Sequence, residues 1–88
     1  MKKLVEVTEV DGEGLDKLLG ENVLLMCANY FYAGKLIGVN EDFVLLGEPS
    51  IVYETGAWSV TNYADAQRMH VSEWYVRRDA VESYGLGK

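Results

Sequence analysis

Arg77 and Arg78 stand side by side near the end of the chain, and they are its best candidates for meeting an anion. A guanidinium group keeps its charge and offers a planar fork of donors that matches phosphate. Neutralising phosphates in this way supplies most sequence-independent affinity for nucleic acid. The competing reading is an ordinary charged turn, with the arginines paired to Asp79 or Glu73. Such surface pairs contribute at most about 1 kcal/mol. Tyr30-Phe31-Tyr32 is the second candidate. Exposed aromatic rings stack bases at roughly 1–3 kcal/mol each. Strands favour aromatic residues in any case, and alternation would send part of this run into a core.

The remaining reactive residues are poorly framed for catalysis. Cys27 lies in an apolar run, where a thiol behaves as a small buried hydrophobe rather than a nucleophile. His70 has no second histidine and no motif around it. One cysteine and one histidine cannot close a tetrahedral zinc site within a single chain. Glu41-Asp42 reads as a solvated turn with no acid–base partner. Gly12 and Gly14 lack the strand, lysine and helix of a phosphate-binding loop. The sequence therefore predicts no enzyme, no cofactor and no metal. The stretch from Glu54 to Ser72, with Trp58, Tyr63 and Met69, is longer than an ordinary connection. Loops of that kind often bind partners, and a protein partner through the 54–72 loop is one expectation.

The elements that must position these residues belong to one small domain of 88 residues. A chain of this size buries only roughly 60–65% of its unfolded surface, so small domains often need a disulfide, a metal or a partner. A single cysteine excludes an intrachain disulfide. That leaves oligomerisation. Nearly half the residues are hydrophobic, with six tyrosines and two tryptophans, which suits a surface that a second copy covers. No stretch reaches the roughly 18 apolar residues of a membrane helix. Glu6 and Glu9 interrupt the start of the chain where a signal peptide would be apolar. The expected location is cytoplasmic, with no membrane partner. The formal net charge is −6, from 14 acidic and 8 basic residues, which counts against nonspecific duplex binding. It leaves room for a local basic site.

Periodicity gives the order of elements. Met1–Val10 alternates loosely and could be a strand or an arm, followed by a turn at Asp11–Gly14. Leu15, Leu18 and Leu19 fall on one face of a short α-helix over about 13–19, stopped at Gly20. Val23–Cys27 is a continuous apolar run, as in a strand buried on both faces. Ala28–Tyr30 is a turn, and Phe31–Val39 is a strand whose Gly34 and Gly38 mark bends or bulges. Asn40–Asp42 is a turn before a third strand, Phe43–Leu46. Pro49 belongs at an edge or bulge, and Ile51–Tyr53 resumes the strand. Across the long loop, Tyr63, Ala66, Gln67 and His70 could share a helical face. Trp74–Val76 and Ala80–Tyr84 are two short strands joined at Arg77-Arg78-Asp79, and residues 85–88 read as a frayed tail. Short connections make the sheet antiparallel.

Tyr32, Gly34, Leu36, Gly38, Phe43 and Leu45 follow the spacing of a known motif, and Val76, Arg77, Asp79 and Val81 that of a second. In this order the two resemble the motifs of the Sm/LSm/Hfq family, from the helix to Val81 apart from the loop. Each motif is degenerate alone, and the pair in order is more specific. The resemblance implies a mainly β fold: an SH3-type, strongly bent five-stranded antiparallel barrel behind a short N-terminal α-helix. It also implies a homo-oligomeric ring. In the family, the fourth strand of one subunit pairs with the fifth of the next, and turns near the pore hold single-stranded RNA. Carried onto this chain, the RNA contacts are Asn40, Phe43, Arg77 and Arg78, and the subunit interface is Trp74, Tyr75, Val76 and Val81. Asn40 replaces the usual Asp, Arg78 the usual Gly, and Val44 the Asn that contacts a base. These changes imply weak base discrimination with a second positive charge per subunit. A ring-shaped assembly module without RNA is the alternative, and a monomeric SH3-like peptide binder is a third reading.

Overall fold

The computed structural model describes residues 14–88. The expected arm at Met1–Val10, and the turn residues Asp11, Gly12 and Glu13, lie outside the described residues. The fold is mainly β. After one 3-10 turn (Leu15–Leu18) come β1 (Asn22–Cys27), β2 (Phe31–Val39), β3 (Phe43–Glu54), β4 (Asp65–Arg68) and β5 (Glu73–Arg77). A second 3-10 turn, Arg78–Ala80, leads into β6 (Val81–Leu86). All pairings are antiparallel.

The order across the sheet is β4-β3-β2-β1-β6, and β5 also pairs with β3. Besides β2, the 12-residue β3 serves two further partners. Its first half, Phe43–Gly47, pairs with β5, and its second half, Ser50–Glu54, pairs with β4. Among the described residues β5 and β6 do not pair with each other, so the sheet is not closed. This departs from the expected five-stranded barrel in strand number and in closure.

The bend in β3 has a local cause. Its register against β2 shifts between Ala33 and Lys35, where β3 carries an extra residue. Glu48 sits in this bulge at φ 51, a left-handed conformation unusual for a glutamate. Its backbone N–H donates to Ser72 O at 3.0 Å, and its carboxylate pairs with Arg68 of β4. Pro49 follows within the bulge, where its missing N–H costs no ladder bond, and it is fully buried. A second shift lies between Leu36 and Gly38, where the extra residue is on β2. Phe43–Leu46 and Ile51–Tyr53 are thus one bulged strand, because a bulge redirects a chain without ending its pairing.

β1 lies between β2 and β6, and Val23, Leu24, Leu25 and Cys27 are buried, as the unbroken apolar run predicts. The core cluster joins Val23, Leu25 and Cys27 to Leu36, Val44, Leu46 and Val76, and Leu15 packs onto it from the first 3-10 turn. That turn is shorter than the expected α-helix over 13–19. Gly20 follows at φ 87, and its N–H donates to Leu36 O at 2.8 Å. The chain is thereby diverted into β1 before a helix can lengthen.

The end of the chain is also corrected. Gly85 and Leu86 belong to β6 opposite Leu24 and Val23, and Gly87 N–H donates to Asn22 O at 2.9 Å. The 54–72 loop contains β4, so Ala66 and Gln67 lie on a strand rather than a helical face. All four β4 residues are exposed. A strand that buries no side chain leaves no hydrophobic period to read. Among the described residues no helix is long and apolar enough to cross a membrane.

Candidate nucleic-acid interface

Two turns separated by more than thirty residues meet at one end of β3. The Asn40–Asp42 turn is closed by Asn40 Oδ1, which accepts from Asp42 N–H and Phe43 N–H at 2.8 Å each. Asn40 N–H donates to Phe43 O at 3.0 Å. Asparagine suits this role because its short amide imitates a backbone turn. The other turn starts at Arg77, which is opposite Phe43 in the β3–β5 register. Arg78 N–H donates to Asp42 O at 2.8 Å, and Arg78 Nη1 donates to Asn40 O at 2.9 Å.

Asn40, Phe43, Arg77 and Arg78 are therefore neighbours, with different roles. Arg78 is the brace between the turns. Its φ is not positive, so the glycine usual in the resembling motif is not needed for this backbone. Arg77 extends into solvent and pairs with Asp79 at 2.8 Å, with both side chains about 70% exposed. Such a pair is weak and exchangeable. Three carboxylates, Glu41, Asp42 and Asp79, lie in the same two turns and reduce the local positive field.

Phe43 is exposed and meets Tyr75 edge to face, with ring centroids 5.9 Å apart. Tyr75, at 66% exposure, is the most open aromatic ring among the described residues. Phe43, Tyr75 and Arg77 thus form one exposed surface: two rings beside a guanidinium group. Tyr75 was expected only at a subunit interface. Its part in this surface follows from the β3–β5 register, which no short motif encodes. Val44 points the other way. It is fully buried in the core, so it stands opposite the surface where a base would rest.

The four residues expected at a subunit interface divide. Trp74 and Tyr75 are exposed, and Val81 is half-buried against the core. Val76 is 5% exposed within the core cluster, so its side chain faces inward and it would join an interface through its backbone alone. Alternation along β5 sends Val76 inward and Tyr75 outward. A groove of about 580 Å³ follows the open seam between β5 and β6, lined among others by Tyr30, Tyr32, Trp74, Tyr75, Arg77 and Glu82. Tyr30 stands exposed between Tyr32 and Tyr53, with centroids 6.4 and 6.5 Å away.

Cys27 also borders the groove. Burial raises its thiol pKa above the ordinary value, and the nearby Glu82 carboxylate raises it further. The folded state thus favours the neutral thiol. Its contribution to stability is present below the unfolded thiol pKa and is lost as pH rises through the folded one. Cys27 should therefore alkylate with iodoacetamide more slowly in the folded chain at pH 8 than in urea. Equal rates would refute the buried, neutral thiol.

Comparison with known proteins found no match: no family model, no curated protein and no solved structure matches the chain.

Proposed function

We propose that this chain is a subunit of an Sm-like homo-oligomeric ring that binds single-stranded RNA on the surface formed by Asn40, Phe43, Tyr75, Arg77 and Arg78. The supporting observation is the convergence of the two turns, which sets an exposed aromatic pair beside a guanidinium group. Bases stack on Phe43 and Tyr75. Arg77 exchanges Asp79 for a phosphate. Arg78 positions the turn and adds charge. With Val44 in the core, no polar side chain at that position reads a base edge, so base discrimination is weak. The cytoplasm is the proposed compartment, and the reading includes no catalytic step.

The ring reading is supported by the open seam. Among the described residues β5 pairs only with β3, and β6 only with β1, so within them each leaves one edge for a neighbour. Pairing β5 of one copy with β6 of the next satisfies both edges and closes by rotation. It also covers Trp74 and the groove.

A second reading is a ring that assembles proteins and binds no RNA. The carboxylates of Glu41, Asp42 and Asp79 around the two arginines favour it. Native mass spectrometry with a short U-rich RNA separates the readings. A ring carrying RNA supports the first, a bare ring supports the second, and a monomer removes both. Within the first reading, Arg77→Ala should weaken RNA binding about tenfold or more at low salt and flatten its salt dependence. It should leave the urea midpoint unchanged, because the Arg77–Asp79 pair is exposed. Arg78→Ala should lower both affinity and stability, the latter by about 1 kcal/mol for the lost brace.

A further inference from the structure

Lys88 ends in a site built for an ammonium group. Its Nζ donates to three backbone carbonyls of one loop: Thr55 O at 2.6 Å, Ala57 O at 2.9 Å and Asn62 O at 3.2 Å. Those bonds use all three N–H donors of the ammonium. The same nitrogen lies 5.4 Å from the ring centroids of both Trp58 and Tyr63, within cation–π range. Tyr63 Oη also accepts from Lys88 N–H at 3.1 Å. A Cβ on Gly87 would stand 2.8 Å from Tyr63 Oη and 3.2 Å from the Val23 carbonyl carbon, so a side chain there would make Tyr63 shift.

The loop holds its own shape. Val60 N–H donates to Ala57 O at 3.0 Å, and Ala64 N–H donates to Thr55 O at 3.3 Å. Gly56 turns the chain at φ 71, and its N–H meets the Glu54 carboxylate at 3.4 Å. Two of the three carbonyls, Thr55 O and Ala57 O, are thus oriented by bonds that do not involve Lys88. Each carbonyl has a second lone pair for the ammonium.

We propose that the 55–63 loop is a receptor for a primary ammonium group, the lysine side chain of a partner protein, and that Lys88 occupies it in cis as an internal competitor. Three carbonyls select a donor with three N–H groups over a quaternary ammonium, and the two aromatic faces select charge over a neutral amine isostere. Lys88 follows β6 by two residues, so its effective concentration at the loop is at least of millimolar order. An external lysine therefore binds weakly while Lys88 is seated. A change that removes the Lys88 charge or withdraws the segment opens the site. This site is separate from the turns that carry the proposed RNA surface, and its test does not depend on that reading.

The probe is n-butylammonium chloride at constant ionic strength, followed by the backbone amide signals of Gly56 and Ala64 in NMR, which every variant retains. The Lys88→Ala chain should bind it saturably, and native protein at least tenfold more weakly. Neither n-butanol nor tetramethylammonium should saturate the site. Lys88→Ala combined with Trp58→Ala should lose binding while keeping its far-ultraviolet spectrum. No saturable binding by folded Lys88→Ala overturns the proposal. So does equal binding by native protein, or binding that survives loss of Trp58.

Discussion

Val44→Asn should unfold the protein or remove most of its stability. In the resembling motif an asparagine at this position contacts a base, so the sequence alone would present the change as a restoration. The structure places Val44 at 0% exposure among Leu36, Leu46 and Val76. An asparagine there loses the apolar burial of valine, about 2 kcal/mol. It also brings an amide with no polar side chain beside it, since no buried residue of the described chain is polar. An unpartnered buried amide costs about 1–3 kcal/mol more. A chain of 88 residues has a total stability of roughly 4–13 kcal/mol. A urea titration followed by tryptophan fluorescence should show a greatly lowered midpoint or no transition. An unchanged midpoint with a gain in RNA affinity would mean that this side chain faces outward.

Gly34→Ala should be the second severe change, and Gly38→Ala the mild control. Both glycines fit the same motif, and sequence gives no reason to rank them. A Cβ on Gly34 would stand 2.8 Å from Gly47 O, 3.2 Å from Leu46 Cβ and 3.4 Å from Pro49 Cα. Two of those atoms are backbone, held by the β2–β3 register and the bulge at Glu48. They cannot swing aside as a flexible side chain would, and overpacking of this kind costs about 3 kcal/mol. A Cβ on Gly38 would meet only Leu45 Cβ at 3.5 Å and Leu45 Cδ2 at 3.8 Å, which is ordinary contact. Its loss of stability should be within about 0.5 kcal/mol. Chemical denaturation of both variants tests the pair. Equal midpoints would remove the close approach at Gly34 as the reason for that glycine.

The open seam and the ammonium site concern opposite faces of one problem. A small domain with a modest core has few ways to hold its long connection and its last residues. Here the 55–63 loop and Lys88 hold each other, and among the described residues β5 and β6 each keep one unpaired edge. In the proposed ring, one Arg77 per subunit would become a circle of them and supply the charge density that a single copy lacks.

Local physics determined much of this molecule from sequence. The apolar run Val23–Cys27, the turns at Ala28–Tyr30 and Asn40–Asp42, the strand at Trp74–Val76 and an edge or bulge at Pro49 follow from periodicity, turn chemistry and the missing proline N–H. Composition was enough to restrict the chain to a small domain without a disulfide. Tertiary structure decided the rest. β4 buries nothing, so only its pairing with β3 makes it a strand. The 3-10 turn at Leu15–Leu18 stays short because Gly20 and Glu21 are captured by Leu36. Residues 85–88 are ordered by β1 and by a loop more than twenty residues earlier, contacts that no local pattern records. Val44 and Val76 face the core, and Phe43 and Tyr75 face solvent, because the bulged register of β3 fixes which alternate residues turn inward. A one-residue change in that register would exchange the two sets.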